Sequence, residues 1–535
     1  MYKYGDLCKH YSIVKLVGEG NYGKIYMVQN IESGQMYAVK KISLNNKCGI
    51  DSISLHEIMN LTNLNHPNII KIHDLIIDTH EINIVMDYIS YNLAEYVLTH
   101  SLSIDNANYI FIQIADALLY MHNNGIVHGD LSSRNIMIDE NLRIYLIDFG
   151  FSRKLRRKID IKPTIDARPY ELFDNNNNNV DISKIDIWAL GCIYYFLLVR
   201  DVIIDAENDN SYEWSIEKVL TSGSLFHMSK LKYAMIDEDY INIIMKMLDK
   251  DSNLRYNITQ LFNNPLVMHI KDKFLIVPCN DTNNEINNEA KIVSVMCSDK
   301  RIYVIECIMD LKRIYNSNNE IVFNSLYMID ALYNKLFTTI PLENMCFIAF
   351  VLSYKVVYGI DIDLIIMSSI FEHVIGKKIT PNVLIQNIIE ASKTLNWNIE
   401  YVNIYDFLEE TKIDDKLSFY LINSFIISEL ASIDELTKIC AINLVIKCSE
   451  GYSQDDITKT IFSMYNRKYS TTKLAKTIKK ILRVYFIPCI IDDKIKYNTN
   501  IQDYVKYSHD KNSISAEPIF KINCNYLLNN FIQVL

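Results

Sequence analysis

The sequence predicts an α+β domain over about the first 270 residues and an all-α region after it. Segments with strand-like alternation and segments with helical periodicity follow one another up to about residue 270. A polar, asparagine-rich stretch at 275–290 then interrupts the pattern. Beyond about residue 293, apolar residues recur at helical spacing in segments that contain almost no glycine or proline.

The composition restricts the classes of function. The 535 residues leave room for about two to four domains, and a net charge of −10 without a basic block gives no indication of nucleic-acid binding. The eleven cysteines contain no C-x-x-C pair, which favours a reducing compartment over a zinc ribbon or a disulfide framework. Neither a signal peptide nor a membrane span is indicated. We therefore expect a soluble intracellular protein, cytoplasmic or nuclear, without nucleic-acid or membrane partners. Heavy use of Ile, Asn, Lys and Tyr is typical of AT-rich genomes, including those of large DNA viruses.

The elements of the first part follow from local patterns. Strands joined by turns are predicted at 11–18, 23–30 and 35–42. A helix is predicted over 51–65, with Asp51 or Ser52 as its N-cap. A buried strand is predicted at 82–88. A helix over 106–125 carries its apolar residues on one face and ends at Gly125.

The second part is predicted as a series of helices. Apolar periodicity is clearest at 303–315, 323–337, 342–358, 382–396, 416–430, 434–451 and 475–486.

A glycine-rich stretch lies between the first two predicted strands. Gly18, Gly20 and Gly23 have the G-x-G-x-x-G spacing, which is a weak signal alone because it also suits a simple turn. A dinucleotide site would need a helix directly after these glycines, whereas here a strand follows. A hairpin over a nucleotide is the better fit, since glycine lets backbone N–H groups approach phosphate oxygens without interference from a Cβ atom.

Motifs further along the chain favour a phosphate-binding role for this glycine-rich stretch. Lys40 ends "YAVK" in a predicted strand, and Glu57 lies on the next helix. "HGDLSSRN" at 128–135 and "LIDFGFSR" at 146–153 come later in the chain. In this order and spacing, they resemble the catalytic domain of eukaryotic protein kinases over about the first 265 residues. Glu171, Asp186 and Arg255 stand at further positions of that family, whose members pair the arginine with the glutamate.

The resemblance implies a bilobal protein-kinase fold, the cofactors ATP and Mg²⁺, and protein substrates. Lys40 would contact the α- and β-phosphates and be held by Glu57. Asp148 and Asn135 would supply oxygens to Mg²⁺. Asp130 would accept or orient the proton of the substrate hydroxyl, and Arg134 is a further candidate catalytic residue.

The resemblance also assigns a set of ATP-binding residues. It comprises the glycine-rich hairpin, the lysine with its glutamate partner, and the two residues expected on either side of the adenine. The gatekeeper and the hinge complete the set. In chain order these residues are Val17, Gly18, Glu19, Gly20, Asn21, Tyr22, Gly23, Lys24, Ile25, Ala38, Lys40, Glu57, Met86, Asp87, Ile89 and Met137.

Two regions resemble more specific families. The helix from Asp51 to Glu57 stands where cyclin-dependent kinases carry Pro-Ser-Thr-Ala-Ile-Arg-Glu. The helices from Arg301 on resemble a cyclin with two helical bundles in tandem, in which Arg301 and Glu306 keep the spacing of a buried Arg–Asp pair. Asp330 and Lys355 match two further cyclin segments. An unrelated helical regulatory domain is the alternative for this part.

These resemblances imply a kinase domain at 1–270, a linker at 271–292 and cyclin-like bundles at 293–400 and 401–535. An intramolecular contact between the kinase and the cyclin-like part would hold Lys40 and Glu57 together. Host cell-cycle proteins are a further expected class of partner. The competing hypothesis is a catalytically weak or inactive kinase-like binding protein whose cyclin-like half recruits a host kinase.

The sequence departs from the family where a phosphothreonine is normally held. Two of the three expected arginines are replaced, by Gly129 and His56, and only Arg153 is kept. Ile159 stands at the phosphothreonine position, so we expect activity without phosphorylation of this segment. Thr164 stands where the family has a structural threonine near the catalytic aspartate.

Further departures concern specificity. Ser132 replaces the catalytic-loop lysine of Ser/Thr kinases, and Arg134 stands where tyrosine kinases often carry an arginine. Thr164 and the cyclin-dependent likeness favour Ser/Thr over Tyr. Because Pro163 locks its φ near −65°, we also expect a weak preference for proline after the target residue.

Overall fold

The computed structural model describes residues 2–20, 23–78, 80–155, 164, 167–172, 181–203, 230–231, 234–275, 298–336 and 338–400. The chain divides into two compact units. The first comprises Met1–Glu285 together with Tyr354–Ile399, and the second comprises Ile286–Ser353 and Glu400–Leu535. The predicted bundle at 401–535 and most of the predicted linker lie outside the described residues.

A six-stranded sheet forms the beginning of the first unit, in the order β1-β5-β6-β4-β3-β2. Strand β1 pairs in parallel with β5, and the remaining neighbours are antiparallel. The strands predicted at 11–18, 23–30, 35–42 and 82–88 are confirmed. The bounds are β1 (Tyr2–Tyr4), β2 (Tyr11–Gly20), β3 (Gly23–Asn30), β4 (Met36–Ser43), β5 (Ile72–Ile77) and β6 (Glu81–Asp87).

Helix α1 (Ser52–Asn63) follows the first four strands. Asp51 is its N-cap, because the Asp51 side chain accepts a hydrogen bond from the backbone nitrogen of Ser54. Most of its residues are buried, including the predicted functional residue Glu57.

The remainder of the first 285 residues is mainly helical. Helix α3, predicted over 106–125, is buried along much of its length, and its Phe111 stacks on Tyr194 with ring centroids 3.9 Å apart. The helices are α2 (Leu93–Thr99), α3 (Ile104–Asn123), α4 (Ser183–Val199), α5 (Glu238–Met247), α6 (Ile258–Phe262) and α7 (Pro265–Phe274). Short strands are β7 (Tyr91–Asn92), β8 (Ile126–Val127), β9 (Ile136–Ile138), β10 (Ile144–Leu146) and β11 (Arg153–Lys154). The boundary predicted after residue 270 falls inside α7.

Two helices of the second unit precede residue 342: α8 (Ser298–Tyr315) and α9 (Asn319–Leu336). Helix α10 (Leu342–Tyr358) starts in this unit and passes into the first one. Glu306 is exposed on α8, unlike the buried residue of the cyclin pair whose spacing it keeps, and the side chain of Arg301 lies outside the described residues. In the described part of the chain, no helix is both long and apolar enough to cross a membrane.

The part of the first unit at Tyr354–Ile399 is called here the helical segment. It contains the end of α10, then α11 (Leu364–Ile375) and α12 (Pro381–Thr394). Apolar periodicity in the sequence predicts α10 and α12 but not α11. Asp363 caps α11 at its start, and Gly376, with φ of +74°, follows its end. The predicted bundle at 293–400 is therefore divided between the two units.

Candidate active site

Lys40 and Glu57 form a buried ion pair between the sheet and α1. Lys40 lies on β4, whose backbone is paired on both sides, with β3 and with β6. Its Nζ atom lies 2.5 Å from Glu57 Oε2 and 3.9 Å from Asp148 Oδ1. Burial favours a lower pKa for Lys40, but these two carboxylates outweigh it and raise the pKa above its ordinary value. The predicted pairing is confirmed, and the ammonium group stays charged, as contact with phosphate oxygens requires.

Asp148 and Asn135 offer the oxygens that a hard cation prefers. Asp148 Oδ1 is buried and accepts no hydrogen bond from the described residues. Asn135 donates from its amide nitrogen to Asp130, at 2.9 Å to the backbone oxygen and 3.0 Å to Oδ2, so its amide oxygen remains for another partner. These residues fit the predicted site, in which Mg²⁺ would neutralise charge on the phosphates of ATP.

The carboxylate of Asp130 is held from both sides. Thr164 donates to Oδ1 from its backbone nitrogen at 2.6 Å and from its hydroxyl at 2.7 Å, while Asn135 donates to Oδ2. The predicted position of Thr164 is thereby confirmed. Burial raises the pKa of Asp130 above its ordinary value, and the hydrogen bonds from Thr164 offset only part of this rise. A fixed carboxylate with a raised pKa is suited to accept the proton of a hydroxyl group.

A buried carboxylate anchors the loop that carries Asp130. Asp186 of α4 accepts from the backbone nitrogens of His128 and Gly129, at 2.9 and 3.0 Å. His128 Nε2 donates to Ile147 O at 3.1 Å, and His128 Nδ1 accepts from the backbone nitrogen of Asp130 at 3.4 Å. The histidine ring thus connects the loop of Asp130 to the strand end that precedes Asp148.

The predicted glycine-rich hairpin is formed by β2 and β3, with Gly20 opposite Gly23. Gly23 has φ of +140°, and a Cβ atom at this position would lie 2.4 Å from Lys41 O. Only glycine therefore fits at this point, and the hairpin keeps the open backbone that phosphate binding needs. Asn21 and Tyr22, at the tip, lie outside the described residues.

The other predicted residues of this hairpin lie on its two strands. Gly18 is opposite Ile25, and Glu19 is opposite Lys24. The side chains of Glu19 and Lys24 form an exposed ion pair with a separation of 3.1 Å. Val17 is also exposed. Exposed positions on the hairpin are compatible with a lid over a nucleotide, but their contacts with ATP stay predictions.

The predicted adenine pocket lies where β4 meets β6. Ala38 and Met86 are directly opposite each other in the antiparallel ladder. Asp87 ends β6, and its carboxylate lies 2.7 Å from His73 Nε2. Met137 is half-buried on β9, as is Ile89 after β6. The placement of adenine between Ala38 and Met137 stays a prediction.

The predicted pair of Glu171 and Arg255 is confirmed. Two guanidinium nitrogens of Arg255 donate to the two carboxylate oxygens of Glu171, at 2.6 and 2.8 Å. Both side chains are buried, and the guanidinium carbon lies 4.8 Å from the ring centroid of Trp188. Such a bidentate pair fixes the chain around Glu171 against the helical part of the unit.

Residues 11–267 match the family model described as the protein kinase domain. The chain contains a protein kinase domain. The site described above lies within these residues. Phosphoryl transfer requires a phosphate-binding lysine, metal-binding oxygens and a fixed aspartate. These parts are Lys40 with its partner Glu57, the oxygens of Asp148 and Asn135, and Asp130.

Similar proteins carry the names of protein kinases. A protein of Acanthamoeba polyphaga mimivirus, named as a serine/threonine-protein kinase, is 32% identical over 274 residues, covering 49% of this chain and 41% of that protein. The carbon catabolite-derepressing protein kinase of Candida glabrata is 31% identical, over 38% of this chain and 34% of its own length. Aurora kinase of Candida albicans is 28% identical, over 49% and 52%. The chain thus spans about half or less of the length of these relatives.

Two positions of the kinase domain depart from the predicted family pattern. Ser132 is buried, and its hydroxyl has no hydrogen-bond partner among the described residues. Arg134, the predicted further catalytic residue, is exposed. The cation that is missing at position 132 is therefore not replaced by a buried one at position 134.

Pro163 and Ile159 lie outside the described residues. The weak preference for proline expected from Pro163 and the activity without phosphorylation expected from Ile159 therefore stay predictions.

The helical segment binds the chain just before α1. Lys355, which is fully buried, donates from Nζ to the backbone oxygens of Cys48 and Ile50, at 2.7 and 2.5 Å. Leu364 donates from its backbone nitrogen to Lys47 O at 2.6 Å. Gly49, between these carbonyl groups, has φ of +71°, and a Cβ atom there would lie 3.3 Å from Ile385 of α12. Backbone hydrogen bonds and close packing thus join the segment to the kinase domain.

Helix α1 itself also contacts the helical segment. Ser52 donates from its backbone nitrogen to Asp361 and from its hydroxyl to Gly359 O, both at 2.9 Å. His56 lies with Nδ1 2.6 Å from Ser52 O and Nε2 3.1 Å from Val356 O. Carbonyl oxygens only accept hydrogen bonds, so both contacts are hydrogen bonds when both ring nitrogens carry a proton. The arginine position of the family is therefore used here to bind the segment.

Several of these contacting residues are not predicted from the sequence. A family likeness marks Lys355, but it marks neither Asp361 nor Gly359. The Gly-Ile-Asp turn directly after a periodic helix is the local signal that marks them. Their partners lie about 300 positions away, and no local pattern identifies such partners.

Proposed function

We propose that the chain transfers the γ-phosphoryl group of ATP to serine or threonine hydroxyl groups of proteins. The observation that carries the proposal is the closed Lys40–Glu57 pair in the same domain as an Asp130 carboxylate held by Thr164 and Asn135. Mg-ATP, when bound, supplies the phosphoryl group and the charge neutralisation.

The residues of the chain have separate tasks in this reaction. Lys40 holds phosphate oxygens by charge, and Glu57 fixes the direction of its side chain. Asp148 and Asn135 hold the metal. Asp130 orients the substrate hydroxyl and takes its proton, because its own oxygens are fixed by hydrogen bonds. Positioning and electrostatics, rather than covalent chemistry, supply most of the acceleration in such reactions.

We further propose that the helical segment keeps the kinase domain active within one chain. Lys355, Asp361 and Gly359 together bind the first residues of α1 and the turn before it. Because Glu57 is on α1, holding this helix also holds the Lys40–Glu57 pair. This arrangement resembles a cyclin-dependent kinase fused to its own cyclin-like domain, and host cell-cycle proteins would be its substrates or partners.

The catalytic proposal is tested with the purified full-length protein, labelled ATP and mixed protein substrates. Asp130→Asn keeps the size of the side chain but removes the base, so transfer should fall by roughly 10²–10⁴-fold. Lys40→Met should also abolish transfer. Thermal unfolding of each variant checks that the fold survives. Equal activity of the wild-type protein and both variants would mean that the activity comes from a contaminant.

The alternative of a binding protein is favoured by one observation, the replacement of the catalytic-loop lysine by the buried Ser132. It predicts no transfer by the wild-type protein and a stable complex with a foreign kinase. Recovery of such a complex without any measurable phosphoryl transfer would support the alternative and contradict our proposal.

The activating role of the helical segment is tested by Lys355→Met. Its matched control is Lys378→Met, which changes a lysine that lies in the same segment but is mostly exposed. Loss of the Lys355 donor leaves two backbone oxygens without this partner, so the rate should fall by roughly 10-fold or more through misplacement of α1. Equal rates for the two variants would refute activation by the segment.

A further inference from the structure

The turn after α10 touches two parts of the kinase domain at once. On one side, Gly359 O accepts from the hydroxyl of Ser52, the first residue of α1. On the other side, the guanidinium of Arg153 packs on Gly359: a Cβ atom at position 359 would lie 3.2 Å from Arg153 Nη2 and 3.9 Å from both Cζ and Nε. Glycine is favoured at this turn, since φ is +66° and a Cβ atom would press on the Arg153 guanidinium.

Arg153 lies at the start of the activation segment, which spans 148–171. Its Nη1 atom donates to the backbone oxygens of Gly150 and Ser152, both at 2.9 Å. In β11, its backbone is paired with Val127. The hydroxyl of Ser152 donates to His128 O at 3.0 Å. These contacts connect the chain around Arg153 to Val127 and His128, which lie just before Asp130.

We propose that Gly359 is a positioning residue that holds Arg153, and with it the start of the activation segment, without a phosphate group. Gly359 does this by offering its bare backbone to the guanidinium while the same residue is tied to α1 through Ser52. The kinase domain would then need no modified threonine to align the activation segment with α1. This inference rests on the proposed function and adds its mode of regulation.

Gly359→Ala in the full-length protein is the first test. The added methyl group would press on the guanidinium of Arg153. Gly376→Ala is the matched control: Gly376 also has positive φ, at +74°, in the same helical segment, but no atom lies within 4 Å of its Cβ position. The control therefore carries the same backbone strain without touching Arg153. Both proteins are treated with phosphatase, and the absence of phosphate is checked by mass spectrometry.

We expect kcat of Gly359→Ala to fall by roughly 10- to 100-fold, with a smaller change in KM for ATP, because the activation segment rather than the nucleotide site is displaced. Gly376→Ala should stay within about twofold of the wild-type protein. Equal behaviour of the two alanine variants would overturn the proposal, as would loss of the wild-type rate on phosphatase treatment.

A second comparison, made in a protein that carries Arg153→Ala, distinguishes the contact with Arg153 from a general folding defect of Gly359→Ala. In a protein that carries Arg153→Ala, the methyl group of Gly359→Ala meets no guanidinium, so its additional effect on kcat should shrink to the size seen for Gly376→Ala. An undiminished effect in that background would show that Gly359 acts through something other than Arg153.

Hydrogen exchange separates this inference from the proposed function. Amides at 150–155 should exchange faster in Gly359→Ala than in the wild-type protein, and they should be unchanged in Gly376→Ala. If the wild-type protein transferred no phosphate but this pattern appeared, the proposed function would fail and the positioning contact would stand. Unchanged exchange in both variants would overturn the contact itself.

Discussion

Asp361 caps α1 from a position 309 residues further along the chain, by accepting a hydrogen bond of 2.9 Å from the backbone nitrogen of Ser52. The same Oδ1 atom lies 3.1 Å from Lys355 Nζ. The local cap, Asp51, accepts from the nitrogen of Ser54. The positive end of α1 thus receives one carboxylate from its own loop and one from the helical segment.

Asp361→Ala should weaken both the start of α1 and the activity of the kinase domain. Loss of a cap costs about 1 kcal/mol of stability, and the misplacement of Glu57 should lower the rate by several-fold. Asp363→Ala is the control, because Asp363 caps α11 and has its hydrogen bonds there. Thermal unfolding should show losses in both variants, and a kinase assay should show a loss in Asp361→Ala alone. A similar loss of rate in Asp363→Ala would contradict a specific role of the cap on α1.

The rate should depend on pH through Asp130. The carboxylate must be ionised to accept a proton, so kcat/KM should fall as the pH is lowered through the pKa of Asp130. Because burial raises this pKa, the midpoint should lie above the ordinary value of about 3.9. Thr164→Val removes a hydroxyl that stabilises the charged form, so the midpoint should move to higher pH.

The control for this profile is Thr99→Val, since Thr99 is exposed and its hydroxyl donates to the Glu95 carbonyl group of its own helix. Its midpoint should match that of the wild-type protein. A midpoint that moves to lower pH in Thr164→Val would show that the hydroxyl does not stabilise the carboxylate.

Ser132→Lys should raise the rate of phosphoryl transfer. A cation near the transferred phosphoryl group is worth roughly 10²–10³-fold in comparable sites, and the buried serine supplies none. We expect a gain of about 10-fold, because a lysine introduced at a buried position must also find room.

Arg134→Ala, made in the wild-type protein and in Ser132→Lys, tests whether the exposed arginine partly fills this role. Its effect on the rate should be smaller when Lys is present at position 132. A lower rate for Ser132→Lys would indicate that the site is adapted to a small residue.

Phosphatase treatment should leave the rate unchanged. The activation segment contains one serine and one threonine, and both hydroxyls are used within the fold: Ser152 donates to His128 O and Thr164 to Asp130. Initial rates before and after treatment, with the phosphate content followed by mass spectrometry, provide the measurement. A large loss of rate on removal of phosphate from either residue would mean that phosphorylation of the activation segment activates the kinase domain.

Local patterns and motif spacing predicted much of the first unit. The strands around the glycine-rich hairpin and α1 with its cap follow from local patterns, and the pairs Lys40–Glu57 and Glu171–Arg255 follow from the resemblance to the protein-kinase family. The strands and α1 depend on interactions between residues close in sequence. The two pairs belong to motifs whose residues take the same positions throughout one fold.

The missed features depend on long-range packing. Helix α11 has a mostly apolar sequence without a clear polar face, so its periodicity is weak. Glu306 shares its spacing from Arg301 with a buried cyclin residue but is exposed, because spacing along one helix does not fix which side of α8 faces the core. The hydrogen bonds from Ser52 and Lys355 join residues about 300 positions apart, and only the folded chain reveals them.

The hydrogen bonds of Lys355 to Cys48 and Ile50 lie within a single polypeptide, and this has a kinetic consequence. A kinase held active by a separate subunit loses activity on dilution, because the complex dissociates. Here closure would be a first-order event, so specific activity should be independent of protein concentration down to the lowest amounts that can be assayed. Degradation could not remove the activator and leave a silent kinase in reserve, since one proteolytic event would eliminate both together.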